Sequence, residues 1–117
     1  MEREKYLEQA ITWAEKRGFS NIKANLEDYE TPKAYSKKDA EDTFVPDITA
    51  TKTGGKSYVE VALKTDNIRR RVSKWKLLNT LAAMKGGKLF LLTPRGHKAF
   101  VKRMIQKFNL SATVVSI

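Results

Sequence analysis

The sequence predicts an α/β fold, a three-layer α/β/α sandwich around a mixed sheet with a central β-hairpin. Segments with helical 3.6-residue spacing of apolar side chains alternate with short strand-like runs. Two of these runs flank a Thr-Gly-Gly sequence, which is typical of a hairpin turn. The 117 residues, 41% of them hydrophobic, suit a single domain over 1–117 that builds its own core.

The first part of the chain predicts a helix, a short strand and a long connection. Residues 2–19 place apolar side chains at i, i+3 and i+4, and Gly18 is a favourable residue just past the end of a helix. Residues 20–26 favour a short strand. Residues 26–44 are polar, mixed in charge and without a clear period. Because so long a connection is uncommon in a compact domain, we expect a functional flap or a mobile loop there.

The centre of the chain, residues 45–64, predicts a β-hairpin that turns at Gly54 and Gly55. Side chains alternate between the two faces of a strand. In the second strand, one face carries Val59, Val61 and Leu63. The opposite face carries Tyr58, Glu60, Ala62 and Lys64. Two charged residues therefore share a face in the middle of the predicted sheet.

The remaining sequence predicts two helices and two strands. Residues 65–87 favour a helix with Thr65 or Asp66 as its N-cap. Its core-facing stripe consists of Ile68, Val72, Trp75, Leu78, Leu81 and Ala82. The last elements are a continuous apolar strand over 88–93, of the kind covered on both faces, a helix over 97–109 and a strand over 112–117.

Basic residues are concentrated in the second half of the chain. Residues 1–55 contain nine Lys/Arg and eleven Asp/Glu, whereas residues 56–117 contain fourteen and two, within a net charge of +10. A one-sided positive field attracts polyanions, most commonly nucleic acid, although a basic surface without such a partner is the alternative. The predicted nucleic-acid contacts are Arg69, Arg70, Arg71, Lys74 and Lys76 on the second helix and Lys98, Lys102 and Arg103 on the last.

Several function classes are excluded by composition. The chain has no cysteine, so disulfides and thiolate zinc sites are excluded and a cytoplasmic, intracellular location is favoured. The N-terminal "MEREKYLEQA" is charged and is not a signal peptide. No apolar run approaches the roughly 20 residues that a bilayer crossing needs, and we expect no membrane partner.

Three charged residues of the hairpin predict phosphodiester chemistry. Asp47 and Glu60 fall on paired strands, and Lys64 lies on the Glu60 face. Two carboxylates can hold Mg²⁺ (or Mn²⁺), which prefers oxygen ligands. A nearby ammonium can stabilise charge on a phosphate. The alternative is a hairpin whose charges are simply solvated.

The order of these features resembles that of the PD-(D/E)xK nuclease superfamily, and in particular its small members similar to archaeal Holliday junction resolvases. The resemblance runs from about Glu4 to Thr93. It rests on Pro46-Asp47-Ile48, on the strand that ends in Lys64 and on Gly86-Gly87 before the next strand. It implies a restriction-endonuclease-like fold and a hydrolase, an endonuclease that cleaves DNA with Mg²⁺ or Mn²⁺.

The resemblance also implies roles for individual residues. Asp47 matches the first metal ligand and Lys64 the catalytic lysine. An acid in the first helix occurs in that branch, and Glu8 is the best placed candidate here. The second helix of the family often adds a polar residue to the active site, a role that suits Lys74. The family implies a two-fold homodimer as well.

The sequence departs from the motif at its middle acid. The motif has Asp or Glu two residues before the lysine, where this chain has Ala62, while Glu60 lies one pleat earlier, about 6.6–6.8 Å along the strand. Three explanations stay open: a shorter hairpin that makes Glu60 the acid, with Lys64 reaching back; a bulge; or a site that binds without cutting. The sequence thus predicts a nuclease-like DNA-binding protein, with an inactive DNA-binding module or a protein-interaction subunit that uses residues 26–44 as alternatives.

Overall fold

The structure is a computed structural model and describes residues 2–36 and 43–117. Within these residues the chain forms three helices and seven strands. In chain order they are α1 (Glu2–Lys16), β1 (Ser20–Ala24), β2 (Tyr35–Ser36), β3 (Thr43–Phe44), β4 (Ile48–Lys52), β5 (Gly55–Val61), α2 (Ile68–Met84), β6 (Leu89–Thr93), α3 (Lys98–Lys107) and β7 (Thr113–Ser116). None of these helices combines the length and the apolar character that a membrane crossing requires.

The main sheet is mixed and has five strands in the spatial order β1-β4-β5-β6-β7. The pairs β1–β4 and β4–β5 are antiparallel, whereas β5–β6 and β6–β7 are parallel. Parallel neighbours need crossover connections, and α2 and α3 supply them. The hairpin β4–β5 turns at Thr53 and Gly54 and places β5 in the middle of the sheet. The predicted mixed sheet with a central hairpin is confirmed.

The helices cover both faces of this sheet. On one face Leu7 and Ile11 of α1 pack with Val59 and Val61 of β5. On the other face α2 and α3 pack against β5 and β6, around the fully buried Trp75. The buried residues of α2 are Val72, Trp75, Leu78 and Ala82, as the predicted stripe required. Apolar side chains of β6 contribute to both clusters, which confirms that this strand is covered on both sides.

Three predicted positions around the hairpin and α2 are wrong. The hairpin turns at Thr53 and Gly54 rather than at Gly54 and Gly55, because Gly55 already pairs with Lys52. The N-cap of α2 is Asn67 rather than Thr65 or Asp66, and the Asn67 side chain accepts a hydrogen bond from the Arg70 N–H at 3.4 Å. The strand β5 ends at Val61 instead of continuing to Lys64. The backbone N–H of Lys64 donates to Nδ1 of His97 at 2.9 Å, so a side chain takes the place of a strand partner there.

The segment 26–44 has its own secondary structure in the part that is described. A short antiparallel ribbon pairs β2 with β3, and residues 37–42 between them lie outside the described residues. The Tyr35 hydroxyl lies 3.0 Å from that of the buried Tyr58 and accepts a hydrogen bond from Lys56 Nζ at 2.9 Å. Phe44 is buried. The segment therefore contains a short ribbon that packs on the sheet through Tyr35, and the choice between a functional flap and a mobile loop stays a prediction.

Candidate functional site

Asp47 and Glu60 lie side by side near the middle of the sheet. Because Ile48 pairs with Val59, Asp47 falls opposite Glu60. The Asp47 N–H donates to Glu60 Oε2 at 2.6 Å, and the Val61 N–H donates to Asp47 Oδ2 at 2.9 Å. Asp47 is 3% and Glu60 0% exposed. The register of β5 is regular through Val61, where the strand ends, and Glu60 contacts Asp47 as the shorter hairpin requires, but Lys64 does not reach back to this pair.

Two cations from different helices face this carboxylate pair. Lys74 of α2 places Nζ 2.9 Å from Glu60 Oε1 and 4.0 Å from Asp47 Oδ1. Arg3 of α1 donates from Nη2 to Asp47 Oδ1 at 2.6 Å. Lys74 is the cationic partner of Glu60 Oε1. Two acids and two cations thus form a cluster whose formal charges cancel when all four are ionised.

Burial changes the chemistry of Glu60. Desolvation, followed by the negative charge of Asp47, raises the pKa of Glu60 from an ordinary 4.5 to about 7. The Lys74 ammonium and the hydrogen bond from the Asp47 backbone act in the opposite direction without cancelling the effect. A carboxyl with a pKa near 7 can take up and release a proton at neutral pH, and such displaced pKa values concentrate at functional sites.

A cavity of about 580 Å³ adjoins the cluster. Its lining residues are Arg3, Asn25, Thr43, Phe44, Val45, Asp47, Thr65, Asn67, Arg70, Arg71 and Lys74. Arg70 lies over the Phe44 ring, 4.8 Å from its centroid, and donates to the Thr43 carbonyl at 3.4 Å. Four cationic side chains and one carboxylate therefore face the same space, an arrangement that suits a ligand with phosphate groups.

Two residues predicted for the site lie elsewhere. Lys64 is exposed, three residues beyond the end of β5, and is not part of the cavity lining. Glu8 is exposed on α1 and lines a separate depression with Lys5. Glu8 follows the buried Leu7 by one position, which turns it about 100° away from the core-facing stripe. The lysine beside the carboxylates is Lys74.

The predicted nucleic-acid contacts divide between two surfaces. Arg70, Arg71 and Lys74 line the cavity, and Arg69 is exposed in the same turn of α2. The other four, which are exposed and not part of the cavity lining, are Lys76, Lys98, Lys102 and Arg103. Lys76 lies over the Phe108 ring at the end of α3, 5.9 Å from its centroid. These four cations are therefore distributed over α2 and α3, away from the cavity.

Arg3 is the functional residue that the sequence analysis missed. It precedes the buried Leu7 by four positions and Ala10 by seven, so it is in phase with the core-facing stripe of α1. A charged residue at such a position needs a partner of opposite charge at the sheet. Lys74 shows the same spacing, because it precedes the buried Leu78 by four positions. In the structure its side chain is 13% exposed.

The carboxylate pair suits a magnesium ion. Mg²⁺ is commonly held by one or two carboxylates while it keeps several waters. Asp47 and Glu60 supply two such carboxylates, and Glu60 Oε1 already has the Lys74 ammonium as its partner at 2.9 Å. Among the described residues there is no group of three or more His, Cys, Asp or Glu that could hold a metal. Arg3 Nη2 already donates to Asp47 Oδ1 at 2.6 Å, so a metal ion at this oxygen would lie beside the guanidinium.

Comparisons with protein-family models, with curated proteins and with solved structures give no match for this chain. The resemblance to the nuclease superfamily therefore rests on the sequence motifs alone and stays a prediction. The DNA partner and the homodimer that it implies stay predictions.

Proposed function

We propose that the chain is a restriction-endonuclease-like protein that binds DNA and hydrolyses its phosphodiester bonds with Mg²⁺. The observation that carries the proposal is the convergence of Asp47, Glu60 and Lys74 beside a cavity lined by further cations. The three-layer α/β/α arrangement that this family implies is supported by the helices on both faces of the mixed sheet.

The contact between the two acids supports a different assignment of the motif. Glu60 follows Asp47 by 13 positions and bonds to its backbone, so Glu60 takes the place of the middle acid. The lysine of the motif, two residues later, is then Ala62, which is buried in the cluster around Trp75. Lys74 supplies the ammonium from α2 instead of Lys64.

Each residue of the site has a distinct role in the proposed reaction. Asp47 and Glu60 would hold Mg²⁺, which when bound neutralises charge on a scissile phosphate. The Lys74 ammonium, fixed 2.9 Å from Glu60 Oε1, stabilises negative charge that develops on that phosphate. Arg70 and Arg71 line the cavity and pair with the backbone on either side of the reacting bond.

A cleavage assay with matched variants tests this proposal. Branched, duplex and single-stranded DNA are incubated with Mg²⁺ or Mn²⁺ and with the wild type, Asp47→Asn, Lys74→Met or Lys64→Met. We expect the wild type to cut at least one substrate, and the Asp47 and Lys74 variants to lose about 100-fold or more in rate. Lys64→Met, which removes the same charge outside the cavity, should retain activity.

The assignment of Lys74 is contradicted if Lys64→Met loses activity and Lys74→Met does not. The nuclease proposal itself is contradicted if no substrate is cut, or if Asp47→Asn cuts as fast as the wild type.

The Arg3–Asp47 contact favours a second candidate, a DNA-binding module that does not cleave. Arg3 and Lys74 already give both carboxylates a cationic partner without any metal. Such a module would bind DNA equally well with a chelator present, and its affinity would fall steeply with salt because bound phosphates release counterions. Fluorescence anisotropy of labelled DNA in EDTA, at low and high salt, separates this candidate from a protein without affinity for nucleic acid.

A further inference from the structure

The guanidinium of Arg3 is hydrogen-bonded to the carboxylate of Asp47, on which the proposed metal site depends. Its Nη2 lies 2.6 Å from Asp47 Oδ1, the distance of a short charge-assisted hydrogen bond. The other oxygen, Asp47 Oδ2, accepts the Val61 N–H. Both oxygens of Asp47 therefore already have a protein donor, and because each oxygen keeps a second lone pair, the obstacle to a metal ion at Oδ1 is the bulk and the positive charge of the Arg3 guanidinium.

The two donors differ in how readily they can leave. The Val61 N–H belongs to the central strand β5 and is fixed by its pairing with β6. The Arg3 side chain is 40% exposed and lines the cavity, so it can move into that space without breaking a core contact. Asp47 itself is only 4% exposed at its side chain and stays in place. Arg3 is thus the donor that can be exchanged for another cation.

The charge of the cluster leads to the same conclusion. With Arg3 and Lys74 in place, two acids face two cations. A divalent ion that enters this cluster meets the repulsion of two positive groups at short range. Withdrawal of Arg3 leaves Asp47 and Glu60 with Lys74 alone, and the cluster then attracts a cation.

We propose that Arg3 is a built-in competitor of the metal ion: its guanidinium closes the Asp47–Glu60 site, and a divalent cation binds there only when Arg3 withdraws. This inference rests on the proposed function, because it concerns the same pair of carboxylates. It adds a regulatory contact to the site, in which α1 controls whether the carboxylates of the hairpin are available.

The test measures metal binding without DNA. Mn²⁺ is titrated into the wild type and into Arg3→Gln, and bound ion is followed by calorimetry and by the loss of the free-ion electron paramagnetic resonance signal. We expect Arg3→Gln to bind Mn²⁺ at least about tenfold more tightly, which corresponds to ~1.4 kcal/mol. Lys5→Gln is the matched control, because Lys5 is exposed on the same helix and lines a different depression. It should bind as the wild type does.

Two further variants complete the experiment. Arg3→Lys keeps the charge but lacks the planar fork that pairs with a carboxylate, so its affinity should lie between those of the wild type and Arg3→Gln. The double variant Arg3→Gln/Asp47→Asn should not show the increase in Mn²⁺ affinity that Arg3→Gln shows. Circular dichroism establishes whether each variant is folded. If Arg3→Gln does not fold, the Mn²⁺ affinity of Arg3→Lys is compared with that of the wild type instead.

Equal Mn²⁺ affinity in the wild type and the Arg3 variants overturns the inference, as does a gain that survives Asp47→Asn or an absence of Mn²⁺ binding in all of them. These outcomes are distinguishable from failure of the nuclease proposal, which is decided by DNA cleavage. A wild type that cuts DNA and binds Mn²⁺ as tightly as Arg3→Gln keeps its function and loses only the competitor role of Arg3.

Discussion

Replacing Glu60 with glutamine removes the buried carboxyl beside Asp47, and we expect the variant to differ from the wild type in the pH dependence of its unfolding free energy. The pKa of Glu60 is raised in the folded protein from 4.5 to about 7. Over that interval the folded state holds a proton that the unfolded chain has released. Stability therefore falls as the pH rises through this window and becomes level above it.

The magnitude follows from the same two values. The difference between 4.5 and about 7, at about 1.4 kcal/mol per pKa unit, gives about 3 kcal/mol. The wild type should lose this amount relative to Glu60→Gln between about pH 4 and pH 8. Glutamine can still accept the Asp47 N–H, but its amide group then faces Lys74. That contact adds an offset that does not vary with pH, so the slope is the quantity to compare.

Urea unfolding at a series of pH values measures this slope, with linear extrapolation to water. The fluorescence of the buried Trp75 and far-ultraviolet circular dichroism report the transition. Asp66→Asn is the matched control, because Asp66 is the other acid of residues 56–117 and is exposed. Parallel curves for the wild type and Glu60→Gln would refute the reasoning, because they would mean that burial does not alter the titration of Glu60.

Three further predictions concern the turn, the helix cap and the basic lining of the cavity. A methyl group at Gly87 would overlap the Lys56 carbonyl, so Gly87→Ala should lower the free energy of unfolding in urea by more than about 2 kcal/mol. Gly54 has open space around it but a φ of +82°, so Gly54→Ala should cost about 1–2 kcal/mol through backbone strain alone. Asn67→Ala should cost about 1 kcal/mol through loss of the cap, and Asp66→Ala much less; the reverse order would contradict the assignment of the cap. Arg71→Gln should weaken DNA binding and lower the slope of log affinity against log salt by about 1, and an unchanged slope in fluorescence anisotropy would remove Arg71 from the interface.

The framework of the fold could be predicted because local patterns determine it. Helical spacing identifies α1 and α2, and the Thr-Gly-Gly turn identifies the hairpin. The ribbon of β2 and β3 could not be predicted, because two-residue strands have no period of their own. Tyr35 belongs to that ribbon through its hydroxyl contact with Tyr58, and this contact depends on where the sheet lies. The end of β5 depends on His97, which is distant in sequence.

The two hairpin acids and, through the family resemblance, Lys74 could be predicted, whereas Arg3 could not, and the predicted Glu8 lies outside the cavity lining. Asp47 and Glu60 belong to one hairpin, so the turn fixes their register and hence their contact. Arg3 and Lys74 belong to helices, and their distance from the carboxylates depends on how each helix packs on the sheet. Spacing along a helix identifies the side that faces the sheet but not the residue of the sheet that it meets. For this reason Lys64, which is near in sequence, was assigned the role for which Lys74 has the geometry.

Burial of the carboxylate pair is energetically unfavourable as a means of holding two strands together. Taking two acids out of water costs several kcal/mol for each ion, and well-packed apolar residues in such places are commonly as stabilising or more so. Glu60 is fully buried in the central strand, between apolar neighbours, and the same desolvation raises its pKa. A valine in place of Glu60 would leave the Asp47 N–H and the Lys74 ammonium without their present partner. What a valine cannot provide is an oxygen beside Asp47 that faces Lys74 at the edge of a cationic cavity, and this is the physical reason to interpret the cluster as a site for chemistry rather than as part of the core.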